Sequence, residues 1–352
     1  MTSRRAFLTG LLASGLVPSP SWADAGDPSY LSAAKTPEGA YVLVGLDDVG
    51  AECFRIPLPD RGHAATAHPH LPHAVAFARR PGRFAVVVDC RNGATLAQLN
   101  SPDGRHFYGH GTFDAVGELL FTTENDYKNG VGRIGIWDAR QGYLRVGEIA
   151  SNGIGPHDLR SMPDGTLVVA NGGIDTHPET GRQKLNLDTM RPNLSYLNSD
   201  GVVLDQIGPI QSHASIRHLA VREDGLVAVG MQWQGDNSNS PALVGLHQRG
   251  ETLLTFGNGT DLNGYVGSIA FSTSGELVAA TSPRNGQLTV FSAKDGAVLQ
   301  SFAEPDICGV AGLADGFLAT TGKGKVLGTG MSPYSLTKSI VAWDNHLVSL
   351  VR

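Results

Sequence analysis

Histidine is the residue type that invites a chemical reading of this chain. Four of its twelve histidines open or enter short apolar runs: His73 in LPHAVAF, His110 in YGHGTF, His157 in GPHDLR and His218 in IRHLAV. Oxygen and nitrogen donors stand in the same neighbourhoods: Glu124 and Asp126 in TTENDY, Asn171, Arg217, Gln232, and His177 inside a long polar stretch. Imidazoles gathered at one place suit a transition metal, here iron or copper, or an anionic ligand. On that reading His73, His110, His157 and His218 are candidate metal ligands. Glu124, Asp126, Asn171, His177, Arg217 and Gln232 are candidate ligand-binding residues. A structural reading competes with it: in repeats carrying a Gly-His pair, the imidazole commonly hydrogen-bonds within its own repeat.

These side chains meet only if the chain folds back on itself repeatedly, and the glycines say that it does. Gly39, Gly82, Gly117, Gly165, Gly225, Gly275 and Gly316 each close a turn between two apolar runs, 35 to 60 residues apart. Glycine suits the positive φ of tight reversals. A second series, Gly104, Gly142, Gly201, Gly250 and Gly296, follows within most units. The best-spelled unit, 104–143, reads as short antiparallel strands and carries Gly109-His110 and Trp137-Asp138. Seven units of this kind predict an all-β, seven-bladed β-propeller of the YVTN/WD40 type. The expected blades run 30–67, 73–108, 104–143, 157–207, 217–256, 267–302 and from Cys308 onward, with 345–350 as the closing strand.

Antiparallel geometry then sorts the connections. First-to-second and third-to-fourth turns share one face of the disc; the other connections share the opposite face. The longer connections, 123–130, 171–193 and 231–241, belong to blades three to five and fall on that second face. Loops held by a rigid frame commonly carry function. The candidate site is therefore placed at the channel mouth over blades three to five, with the 171–193 loop as its cover.

Residues 1–23 are expected to be a leader outside the fold. Arg4-Arg5 followed by Phe7-Leu8, an apolar stretch and Ser21-Trp22-Ala23 match a twin-arginine export signal cut before Asp24. The expected mature domain is 24–352, periplasmic and monomeric, with no membrane span, since no run of eighteen apolar residues occurs. A net charge of −6 argues against nucleic-acid binding. The three cysteines, Cys53, Cys90 and Cys308, sit in or beside apolar runs and read as buried small hydrophobes. No CxxCH is present for covalent haem, and no GxSxG, HExxH or Walker loop. The GxGxxG at 130–135 precedes a strand, so it is a coincidence. Trp137, Trp233 and Trp343 read as packing residues.

Six pieces resemble a bacterial exported β-propeller family, domain of unknown function 1513: FARRPG (77–82), SPDGRHFYGHG (101–111), TTENDY (122–127), the long run 153–190, SIRHLAV (215–221) and WDNHL (343–347). The resemblance spans nearly the whole expected mature chain. It implies gene neighbourhoods shared with imelysin-like periplasmic iron-uptake proteins, and so a role in iron handling with such a protein as partner. It carries no catalytic residues. The reading favoured is a periplasmic binding or accessory protein for iron acquisition rather than an enzyme. The alternatives are a propeller enzyme, such as a metal-dependent lactonase, another hydrolase or a lyase, and an interaction scaffold.

Overall fold

The computed structural model describes residues 19–350 apart from 80–81, 182 and 331–332. Most of the expected leader lies outside the described residues. Of its end, Trp22 packs against the body and donates its indole N–H to the His68 carbonyl at 2.9 Å.

Seven four-stranded antiparallel sheets make up the domain. Their first strands contact one another in a ring around the central channel: Ala342–Ser349, Gly62–Ala67, Arg105–Phe113, Pro156–Ser161, Ala214–Val221, Ser268–Phe271 and Ile307–Leu313. Second and third strands are covered on both faces, which explains unbroken apolar runs such as Phe84–Asp89 and Leu167–Asn171. Fourth strands lie at the rim and alternate in exposure, as in Leu144–Ala150. The core is therefore distributed between sheets. One apolar cluster, for example, joins Val168 and Tyr196 of one sheet to Val229 and Leu246 of the next.

The ring closes through the C-terminus. Ala342–Ser349 pairs with Tyr30–Lys35, and the Ser32 hydroxyl donates to the His346 carbonyl at 2.8 Å. The closing strand was thus readable in the sequence, but its consequence for blade phase was not. Tyr30–Lys35 is the second strand of its sheet, and Gly62–Ala67 opens the next one instead of ending the first. The expected boundaries of blades one and two, 30–67 and 73–108, are therefore corrected by one strand. Gly117, Gly165, Gly225 and Gly275 do join first to second strands, whereas Gly39 and Gly82 join second to third and lie on the other face. From the third blade on, the phase matches the expectation. Among the described residues no helix is long and apolar enough to cross a membrane.

Candidate metal centre

Five of the seven inner strands aim a histidine at one point in the channel: His63, His110, His157, His218 and His346. A local feature of these strands accounts for the aim. In each, the pairing register with its neighbour breaks at or beside the histidine: between Gly62 and Ala65, Phe107 and Gly111, Pro156 and Asp158, Ile216 and His218 (where Arg217 is the unpaired residue), and opposite Ser32–Ala34 for His346. A bulge turns one side chain off the alternating pleat. The inner strand Ser268–Phe271 pairs without a break and carries no histidine, whereas Ile307–Leu313 breaks between Ile307 and Val310 and has Cys308 and Gly309 there instead. Gly109 supplies the room: at φ +98° and with a Cβ position only 2.5 Å from His63 Cδ2, no side chain fits there.

The rings are packed edge to face and tilted, with centroids 4.7 to 6.2 Å apart. His63, His110, His218 and His346 are buried, and His157 is half-buried. Potential ligand atoms of His63, His110 and His346 lie within 4.8 Å of one another, as do those of His110, His157 and His218.

Groups behind the rings fix how they are protonated. His110 Nδ1 faces Asp158 Oδ1 at 3.2 Å, and His157 Nδ1 donates to the Arg217 carbonyl at 3.0 Å. Both contacts keep the proton on Nδ1 and turn the Nε2 lone pair inward. Asp158 also accepts from the Leu219 N–H at 3.0 Å and lies 3.5 Å from Arg160. His63 Nδ1 stands 3.9 Å from Asp344, which is held by Arg61 at 2.8 Å and Arg79 at 3.3 Å. Burial pushes His63 down to about 4 and drives His157, His218 and His346 well below the usual histidine value. These four imidazoles are therefore neutral at pH 7. Burial alone would raise Asp158, but Arg160 and His110 overcome it and hold the carboxyl below its ordinary range.

Nitrogens at the centre lack partners. His110 Nε2, His346 Nε2 and both ring nitrogens of His218 are buried without a hydrogen bond. Buried polar atoms are almost always satisfied, and each one left over costs about 1–3 kcal/mol. Neutral imidazoles backed by carboxylates and a carbonyl are donors of the kind that could hold a transition-metal ion.

The other candidate residues fall elsewhere. His73 opens a second strand at the opposite mouth, where its Nδ1 meets the Tyr143 hydroxyl at 2.9 Å. Glu124 and Asp126 are buried within blade three among guanidinium groups. Glu124 binds Arg145 at 3.1 Å and lies 3.5 Å from Arg105; Asp126 lies 3.6 Å from Arg105 and accepts from Asn129 at 2.9 Å. Asn171 donates to the Ser151 carbonyl and to Asn193, so it pins both ends of the 171–193 loop. Half-buried His177 starts a short 3-10 turn in that loop, accepts from the Glu179 N–H and packs edge-on to Tyr127 at 4.9 Å. Gln232 donates to the Val266 carbonyl at 3.1 Å. Arg217 is next to the centre: its carbonyl holds His157, and its charge helps keep His157 and His218 neutral. The long loops 172–192 and 234–243 both join second to third strands, on the same face as the starts of the inner strands.

His63, His346 and Asp344 escaped the sequence reading, which paired Asp158 with its neighbour His157 as a possible acid/base couple, whereas the carboxylate faces His110 of the adjacent blade. The phase shift put His63 in an outer strand of blade one. His346 was quoted in the closing strand and in the WDNHL piece, but not as a candidate ligand. Counting each blade from its inner strand would have placed both on inner strands, as His157 is.

Solved structures resemble the chain in fold. Hydrazine synthase of Kuenenia stuttgartiensis matches with a TM-score of 0.62 at 13% identity, over 88% of this chain and 95% of that one. A chain of the mitotic checkpoint complex matches with a TM-score of 0.58 at 12% identity, over 79% of this chain and 80% of that one. At such identities only the propeller architecture is shared. No functionally curated protein matches this sequence. A family defined by sequence does match, over residues 56–350, and the chain belongs to it: the family described as protein of unknown function (DUF1513).

Proposed function

We propose that this protein is a periplasmic metal-binding accessory protein of iron acquisition, holding a transition-metal ion, iron or copper, between the channel histidines. The observation that carries the metal reading is the set of inward imidazole nitrogens that are buried and unpartnered. A bound ion would satisfy them at metal–nitrogen distances of about 2.0–2.1 Å, with the rings drawing closer together than they stand here. His110, His157 and His218 would ligate it together with His63 and His346. Asp158, Asp344 and the Arg217 carbonyl would hold the rings.

Two further features support the cellular setting. The Arg4-Arg5 leader motif fits twin-arginine export, which carries folded cargo. A centre this enclosed is best loaded while the chain folds, which suits folding before export. The role in iron handling, beside an imelysin-like partner, rests on the family resemblance.

The test is elemental analysis of the protein purified from its native periplasm, alongside fractionation of the cell. Stoichiometric iron or copper in a periplasmic protein is expected. A metal-free protein, or one retained in the cytoplasm, would count against the proposal.

A further inference from the structure

The five histidines are not interchangeable. The two close trios, His63–His110–His346 and His110–His157–His218, share His110. That residue has one lone pair to give, because its Nδ1 faces the Asp158 carboxylate at 3.2 Å and only Nε2 points inward without a partner. A neutral imidazole nitrogen binds one metal ion. The trios therefore cannot be filled by separate ions at the same time.

The remaining four rings form a circuit about His110. Successive centroids are 4.7 Å apart for His346–His63, 5.8 Å for His63–His157, 4.9 Å for His157–His218 and 5.1 Å for His218–His346. His110 lies 4.7 Å from His346, 5.0 Å from His63, 5.0 Å from His157 and 6.2 Å from His218. One ring near all four members of a closed quadrilateral has the outline of a square pyramid. Other donor types stand behind this shell. Asp158 and Asp344 contact rings from outside, and the Cys308 thiol donates to the Asp344 carbonyl at 3.2 Å.

We infer that the channel takes one metal ion per chain, bound by all five imidazoles with His110 at the apex, and keeps the position opposite His110 for a small anion. The inference rests on the metal-binding reading above and deepens it by assigning stoichiometry, first shell and exogenous ligand class. Five neutral donors leave the charge of a dication uncompensated in its first shell. A small anion entering the sixth position would reduce that charge inside a low-dielectric channel.

Copper(II) is the probe, added to the full metal-free chain, with azide as the anion. Calorimetry should count one ion per chain. Electron paramagnetic resonance should show a single axial species with nitrogen couplings, and azide should shift it. Both paired variants, His63→Ala/His346→Ala and His157→Ala/His218→Ala, should lower affinity by more than about 100-fold, beyond the loss usual for second-shell changes. Two ions per chain, or one paired variant that leaves affinity and spectrum unchanged, would overturn the five-nitrogen centre while leaving metal binding intact. A spectrum indifferent to azide would overturn the anion position. No copper binding by the unaltered chain would sink this inference and the metal reading together. Should a paired variant fail to fold, as judged by circular dichroism, the stoichiometry and spectrum of the unaltered chain still decide.

Discussion

The Nδ1 of His110 faces the Asp158 carboxylate at 3.2 Å, and the two buried residues sit on neighbouring inner strands. The contact ties two blades together and selects the tautomer of a proposed ligand. Asp158→Asn keeps the shape and an oxygen that can still accept from the Leu219 N–H. It loses the charge that favours Nδ1–H. Metal affinity should fall by about 10- to 100-fold while the fold persists. Calorimetric titration, with circular dichroism as the control, checks this.

Glu124 separates structural from ligating carboxylates. It is fully buried and bound by Arg145, with Arg105 at 3.5 Å. Removing it strands buried positive charge, so Glu124→Ala should destabilise the domain by about 3–5 kcal/mol. Metal affinity should stay unchanged, because Glu124 stands within blade three and not among the histidines. Urea denaturation and metal titration of the same variant test both halves.

Glu148 carries the pH dependence of the same blade. Its bond to Arg105 outweighs burial, and with Arg145 it lowers the carboxyl to about 2. The folded value lies below the unfolded one. This contribution to stability is therefore full above the ordinary carboxylate range and is lost as pH falls from about 4.5 toward 2. Glu148→Gln should be less stable than the unaltered chain at pH 7, and the gap should narrow by pH 3. Denaturant melts at the two pH values measure it.

The cysteines should react in order of exposure. No disulfide joins them; Cys53 is half-buried, and burial pushes the Cys90 and Cys308 thiols up to about 12. A thiol reagent should label Cys53 in the native protein and all three after denaturation. Rapid native labelling of Cys308 would contradict the packing of the closing strand, since its thiol points at the Asp344 carbonyl.

The repeat was legible because of how propeller sheets are buried. Strands covered on both faces spell apolar runs, and glycines at the reversals mark their ends. The phase of the first blade was not legible from its own residues. Tyr30–Lys35 looks like a first strand, and only its pairing with Ala342–Ser349, more than three hundred residues away, makes it a second. That single offset exchanged His63 for His73. Carboxylate roles were hidden for a related reason: Glu124 and Asp126 read as free donors until Arg105 and Arg145 arrived from other strands. The bulges that turn the histidines inward have no spelling of their own, save Gly109 beside His110.

Calorimetric titration of the metal-free protein with ferrous, ferric, copper and zinc ions, run beside a His110→Ala/His157→Ala double variant, tests the channel centre most directly. Tight binding of at least one of these ions by the unaltered chain, abolished in the double variant, is the predicted result. Absence of binding, or binding that the double variant leaves untouched, would contradict it.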